Sequence, residues 1–341
     1  MIPHMEYQWN RYDEESESER TRKRNGRILL VAILLFALAA AALFVTFLKS
    51  ASVVAAVDAA VTAAPTADVA GQAAVSAESS SLPETAEGLT VAFLDVGQGD
   101  CIFLQSPSGK TMLIDGGPES AYETVSAYLD AQNVVGLDVV VASHLHADHI
   151  GGLIQIVDVY PIGSFYYPPF DAESETYYEL LDALNESEAA VCSPLASANS
   201  FIDWDDEVTV RILSPYDTVY SDFNDTSYIL NVTYGDTSVL LTGDATALAE
   251  KLALKALPDS YFRADVLKVG HHGSSAATSP EFLSAVDPSI AVISCGIDND
   301  YGHPHKELLE RLESRGITVY RTDLDGTVTL LLDGTNVKVI Q

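Results

Sequence analysis

Ser143-His144-Leu145-His146-Ala147-Asp148-His149-Ile150-Gly151-Gly152 places three imidazoles and a carboxylate between positions 144 and 149. The stretch follows Leu137-Asp138-Val139-Val140-Val141-Ala142, a β-branched apolar run that reads as a buried strand. Imidazole and carboxylate are the side chains that zinc, manganese and iron take as ligands. His144 and His146, two apart on a turn leaving a strand, can reach one ion, while Asp148 and His149 point to a neighbouring site. Without a cation, four such groups beside a strand end would repel one another or stay unsatisfied.

Three further segments repeat the theme. Leu240-Leu241-Thr242-Gly243-Asp244 is an apolar strand that ends in a carboxylate before a helix. Asp is a common helix N-cap, but beside a metal site it can also bridge two cations. Val269-Gly270-His271-His272-Gly273-Ser274 is another strand end, and Tyr301-Gly302-His303-Pro304-His305 a third histidine pair. In each pair, one member is expected to serve the site and the other to be structural or to touch substrate.

Working outward, strands are expected at Thr90–Leu94, Cys101–Gln105, Lys110–Ile114 and Leu137–Ser143, with a helix over Ala121–Asn133. Later strands fall at Val208–Ser214, Ser227–Tyr234, Ser238–Thr242, Ala264–Val269, Ile290–Ser294, Thr318–Arg321, Thr327–Leu332 and Val337–Ile340. Helices fall at Glu175–Glu186, Thr246–Leu257, Pro280–Val286 and His305–Arg315. Strands followed by helix–strand alternation, twice over, predict an α/β protein of the αββα type, two packed sheets with helices outside. Tyr160–Asp206, acidic and rich in tyrosine, reads as a solvated insertion, with a substrate lid as the alternative.

The N-terminal quarter has a different texture. Residues 1–27 are polar and end in Arg20, Arg22, Lys23, Arg24 and Arg27. Ile28–Leu48 is uncharged and apolar, and 21 helical residues span roughly 31 Å, the thickness of a bilayer core. The positive-inside rule puts residues 1–27 in the cytoplasm and the rest outside, anchored by a single transmembrane helix. A cleaved signal peptide is the competing reading, although its apolar region is usually shorter. Residues 49–88 read as an Ala- and Ser-rich tether, and 89–341 as the folded domain.

The net charge is −31, from 18 Lys and Arg against 49 Asp and Glu. Residues 50–341 hold 11 basic and 43 acidic side chains, and no Lys or Arg stands between Lys110 and Arg211. A basic nucleic-acid sleeve is excluded, so any phosphate chemistry needs help from cations. Cys101, Cys192 and Cys295 show no CxxC spacing, which argues against a disulfide scaffold or a cysteine zinc knuckle.

The His144–His149 run resembles the HxHxDH signature of the metallo-β-lactamase superfamily. With VGQGDC (96–101), LIDGG (113–117), LLTGDA (240–245), LKVGHHGS (267–274) and YGHPH (301–305), the chain from about Leu89 to Gln341 resembles the hydrolase domain of ComEC-type competence proteins. The resemblance implies a metallo-β-lactamase-like sandwich with one or two divalent ions, Zn or Mn. Asp115 would steady the metal-bearing loop. His144 and His146 would serve a first site, Asp148 and His149 a second, and Asp244 would bridge. His271, His272 or His303 would fill the last histidine role. We take His271 as the ligand, with Asp148 orienting the water and His272 and His303 as further catalytic groups. One departure stands out: residues 150–270 contain no histidine, where the superfamily usually supplies another ligand to the first site. Either Asn224 or Asp225 replaces it through oxygen, which would favour manganese over zinc, or the first site is weakened.

The first functional expectation is therefore a membrane-anchored, outward-facing metal-dependent phosphodiesterase or nuclease, acting on short or single-stranded DNA. With one apolar segment and no many-helix channel in this sequence, a DNA-import role does not carry over intact. The second expectation is a hydrolase of a small lactone, β-lactam or ester, and the third a non-catalytic metal-binding surface module. Gln98 and Asp100 are expected to shape the pocket mouth or simply to form a turn.

Overall fold

The computed structural model describes residues 88–217 and 220–340. The expected cytoplasmic tail, the apolar segment Ile28–Leu48 and all but the last residue of the tether lie outside the described residues.

Strands β1 (Leu89–Phe93), β2 (Ile102–Gln105), β3 (Thr111–Ile114), β4 (Leu137–Val141), β5 (Ile162–Tyr166) and β6 (Ala190–Cys192) open the first sheet. Seven strands then build the second: β7 (Phe201–Ile202), β8 (Val208–Ser214), β9 (Ile229–Tyr234), β10 (Thr237–Leu241), β11 (Val266–Lys268), β12 (Ile290–Ile293) and β13 (Thr318–Arg321). β14 (Val328–Leu332) and β15 (Val337–Val339) return to the first sheet. The strand orders are β15-β14-β1-β2-β3-β4-β5-β6 and β13-β12-β11-β10-β9-β8-β7. β3 to β6 run parallel, as do β10 to β13, and the remaining pairs are antiparallel.

Three apolar layers hold this arrangement. Alternate residues of one strand serve two of them, as the period of two in a pleated strand requires. Leu89, Val91 and Phe93 of β1 and Val139 and Val141 of β4 face the second sheet, where they meet Leu230, Val232, Val239 and Leu241. Ala92, Phe103 and Val140 face outward, beneath α1 (Tyr122–Ala131), α2 (Ala147–Val159) and α3 (Glu175–Glu186). Ile229, Leu240 and Leu267 face the other side, beneath α4 (Ala247–Ala256), α5 (Pro280–Val286) and α6 (Lys306–Glu313). A last short helix, α7 (Thr322–Asp325), follows β13. Strands buried on both faces read as unbroken apolar runs, which is why they were visible in the sequence. Phe93 and Phe103, fully buried on opposite faces, each contribute about 1.5–3 kcal/mol.

Two expectations need correction. Tyr160–Asp206 is not a solvated insertion: it supplies β5 and β6 to the first sheet, with Phe165 fully buried and Tyr177 and Leu180 of α3 packed against the core. The histidine stretch also opens a helix, α2, that Gly151 and Gly152 argue against on propensity. Those glycines are there for close packing. A Cβ on Gly152 would lie 2.1 Å from the Gly116 carbonyl oxygen, and one on Gly151 would lie 2.4 Å from the Glu119 amide.

Candidate active site

The chemistry-bearing segments all leave the carboxyl ends of parallel strands, the end where open α/β sheets place their ligands. Asp115 follows β3, the histidine stretch β4, Asp244 β10, His271 and His272 β11, and the Tyr301–His305 loop β12.

Asp115 stands in the left-handed region (φ 59°). Its carboxylate accepts from the Ser143 amide (2.7 Å) and hydroxyl (2.6 Å), and it lies 2.8 Å from His149 Nδ1. That contact assigns the Nδ1 proton to His149 and turns its Nε2 toward Asp244 Oδ1, 3.4 Å away. On the far strand, His271 and His272 are both left-handed (φ 49° and 51°), which aims two adjacent rings differently. His272 Nδ1 lies 3.0 Å from the Ser294 carbonyl oxygen, so its Nε2 faces Asp148 Oδ2 at 3.3 Å and Asp244 Oδ2 at 3.4 Å. His271 Nε2 stays 3.8 Å from Asp244. His144 Nε2 and His146 Nδ1 are 3.0 Å apart, with their rings edge to face.

Behind the histidines sits a fully buried ion pair. Lys268 Nζ contacts the Asp100 carboxylate and also donates to the Gly243 carbonyl at 3.1 Å. Asp100 faces the Nδ1 side of the rings, 3.4 Å from His272 and 3.9 Å from His149. It can therefore hold and orient them without competing for their Nε2 lone pairs. Burial opposes ionisation of Asp100, but the Lys268 charge together with His272 and His149 outweighs it, leaving the carboxyl below its ordinary range.

The donor set fits a divalent ion. Ligand-capable atoms of His149, Asp244 and His272, with those of Asp100 behind them, lie within 4.8 Å of one another, all buried. His149 Nε2, His272 Nε2 and Asp244 Oδ1 are buried without a hydrogen-bond partner. Imidazole nitrogens facing carboxylate oxygens at 3.3–3.4 Å need a cation or a proton between them. The acid–base balance says the same. Burial works against protonation, but Asp244 with Asp115 raises His149, and Asp244 with Asp100 and Asp148 raises His272, both well above the usual imidazole range. Burial, with His149 nearby, drives His144 well below it, leaving a neutral ring suited to ligation.

Asp244 and His272 of the cluster line a cleft of about 390 Å³, together with Gln98, Asn224 and Tyr301 among others. Asp148, His146, His271 and His303 also face it. His305 instead accepts from the Ser275 amide at 2.9 Å. Of the two oxygen donors considered for the first site, Asp225 is engaged elsewhere, accepting from the Thr246 hydroxyl (2.6 Å) and amide (3.1 Å) at the start of α4. Asn224 Oδ1 is buried and without a partner. Gln98 lines the cleft as expected, whereas Asp100 lies beneath the site and not at its mouth. His272, expected as a catalytic group, sits inside the cluster. Lys268 was not singled out in the sequence. Its signal was a lone charge in the apolar run Val266-Leu267-Lys268-Val269.

Comparison with known proteins agrees with this geometry. The chain is 32% identical over 265 residues to competence protein ComA of Neisseria gonorrhoeae, covering 77% of this chain and 35% of that protein. It is 34% identical over 242 residues to recombination protein 2 of Haemophilus influenzae (69% and 28%), and 29% identical over 255 residues to ComE operon protein 3 of Bacillus subtilis (70% and 32%). It spans about a third of the length of each. The profile of the metallo-beta-lactamase superfamily matches residues 94–297. With that match, its two sheets and its buried imidazole–carboxylate cluster, the chain belongs to the metallo-β-lactamase superfamily as a hydrolase related to competence proteins.

Proposed function

We propose that the chain is a metal-dependent phosphodiesterase acting on short or single-stranded DNA, anchored by Ile28–Leu48 with its hydrolase domain outside the cell membrane. The observation that carries the reaction class is the convergence of Asp148, His149, Asp244 and His272, three of which line an open cleft. The competence and recombination relatives support DNA as substrate, and the apolar segment with its flanking charges supports the anchor.

Asp148, His149, Asp244 and His272 would hold one divalent ion. His144, His146 and the shared Asp244 would hold another, with Asn224 offering oxygen where a further histidine is missing. Zinc and manganese both suit such a set. Bound there, a divalent ion supplies a water of lowered pKa and positive charge against the developing oxyanion. The protein's own groups do the rest. Asp115 and the Ser294 carbonyl keep the Nδ1 protons of His149 and His272 in place, so both Nε2 atoms stay presented. Burial works against ionisation of Asp148, but His272 and His149 hold its carboxyl below the ordinary range. It therefore remains an acceptor that aligns an attacking water. His303 is pulled down to about 4, by burial and by the neighbouring His271. At neutral pH it meets the leaving group as a neutral hydrogen-bonding ring.

The test is hydrolysis of short single- and double-stranded DNA by the full chain, stripped of metal and refilled with Mn²⁺ or Zn²⁺. Metal-dependent cleavage that Asp148→Ala abolishes is the expected result. No cleavage by protein shown to bind metal would sink the nuclease reading. A small lactone or ester would then take first place, a reading favoured by one observation: among the described residues no Lys or Arg lines the cleft.

A further inference from the structure

Among the described residues no Lys or Arg lines the cleft, so beyond its histidines and metal site it lacks the fixed positive charges that usually hold a nucleic acid. What it offers instead is an aromatic face. Tyr301 lines the cleft and is 66% exposed, so a face of its ring is open to a ligand there. The ring lies nearly parallel to that of His303, at 22° and 5.6 Å between centroids. One face is thus backed by an imidazole that itself lines the cleft.

The loop that carries it is held firmly. Asn299 Nδ2 donates to the Gly296 and His303 carbonyls (2.9 and 2.6 Å), and its Oδ1 accepts from the Tyr301 and His303 amides (3.2 and 3.0 Å). At one end the Gly296 amide donates to Gln98 Oε1 (3.1 Å), and at the other the His305 amide donates to the Gly273 carbonyl (2.9 Å). Both anchors belong to segments that build the site. An exposed ring fixed in advance loses little freedom when a ligand covers it.

We propose that Tyr301, backed by His303, is a base-stacking platform that seats an unpaired nucleobase beside the scissile phosphate. Stacking tolerates any base and needs no positive charge, which suits this cleft. It also selects single-stranded DNA, because the bases of a duplex are already stacked on one another. This inference rests on the phosphodiesterase reading for its substrate, but it is tested by binding.

The full chain in Ca²⁺ would be titrated by fluorescence anisotropy with a single strand of roughly 12 thymidines, the matching all-abasic strand and a blunt duplex, with cleavage followed in Mn²⁺ in parallel. The thymidine strand should bind tighter than the abasic strand by roughly 5- to 150-fold. Tyr301→Ala should erase that difference and Tyr301→Phe keep most of it. A difference that survives in Tyr301→Ala overturns the platform. Cleavage without base-dependent binding overturns the platform alone. Binding through Tyr301 without cleavage upholds the platform and removes the phosphodiesterase. Neither binding nor cleavage overturns both.

Discussion

His271 and His272 share a backbone conformation and differ in what their rings meet: His272 Nε2 has two carboxylates within 3.4 Å, His271 Nε2 one at 3.8 Å. His272→Ala should therefore lower divalent-metal affinity by more than the 10- to 100-fold that outer-shell changes cost, and His271→Ala by less. Metal content after competition with a chelator checks this; equal losses would refute it. Beneath them, Lys268→Met would strand the Asp100 charge in the interior. We expect a loss of about 3–5 kcal/mol, largely recovered when Asp100→Asn is added. Urea unfolding of metal-free protein measures both, and a loss below about 1 kcal/mol for Lys268→Met would show that the pair is not held as described. The histidine run was legible because its ligands are adjacent in the chain. The partnership of Asp100 with Lys268 was not, since residues far apart meet only through folding. The choice between His271 and His272 was equally hidden, because it depends on which carboxylates folding brings to each ring.

Elements were legible where both faces of a strand are buried or where a helix has clear caps. Helix α5 is one case, starting at Ser279, whose hydroxyl accepts from the Phe282 amide, with Pro280 in the first turn. Helix α2 was not legible, because its glycines answer to neighbouring backbone and not to helix propensity. β5 and β6 were missed because Gly163 and Ser164 interrupt the apolar run of the first, and the second is a three-residue strand at the sheet edge. Between α4 and α5 lies a connection with a pH consequence. Glu250, fully buried on α4, accepts from the Thr278 and Ser279 amides at the start of α5. Burial outweighs those bonds and raises its carboxyl from 4.5 to about 7. The folded state thus holds this proton more tightly than the unfolded chain does. The resulting stability is fully present below pH 4.5 and is lost as pH rises through about 7. The advantage of the natural protein over Glu250→Gln should shrink between pH 5 and pH 8 by up to on the order of 3 kcal/mol. Denaturation of both proteins at the two pH values checks it; a constant difference would show that Glu250 does not titrate in this range.

For the whole molecule, charge sets the terms on which a polyanion can approach. Residues 50–341 carry 43 acidic against 11 basic side chains, and the two described aspartates facing the cleft, Asp148 and Asp244, add local repulsion until metal offsets it. Nucleases with basic surfaces lose affinity as salt rises, because binding releases counterions. Here the long-range field opposes encounter, so screening should help. Raising monovalent salt from about 10 to 150 mM shortens the Debye length from roughly 30 to 8 Å. The kcat/KM for a single-stranded DNA substrate should rise over that interval, with saturating Mn²⁺ held constant, before weakened metal–phosphate attraction reverses the trend. A neutral ester would show almost no dependence, so the same titration separates the two substrate classes. A steady fall with salt would mean that a local attraction, not the acidic surface, controls encounter. The low-salt repulsion would then have to be overcome entirely at the metal centre.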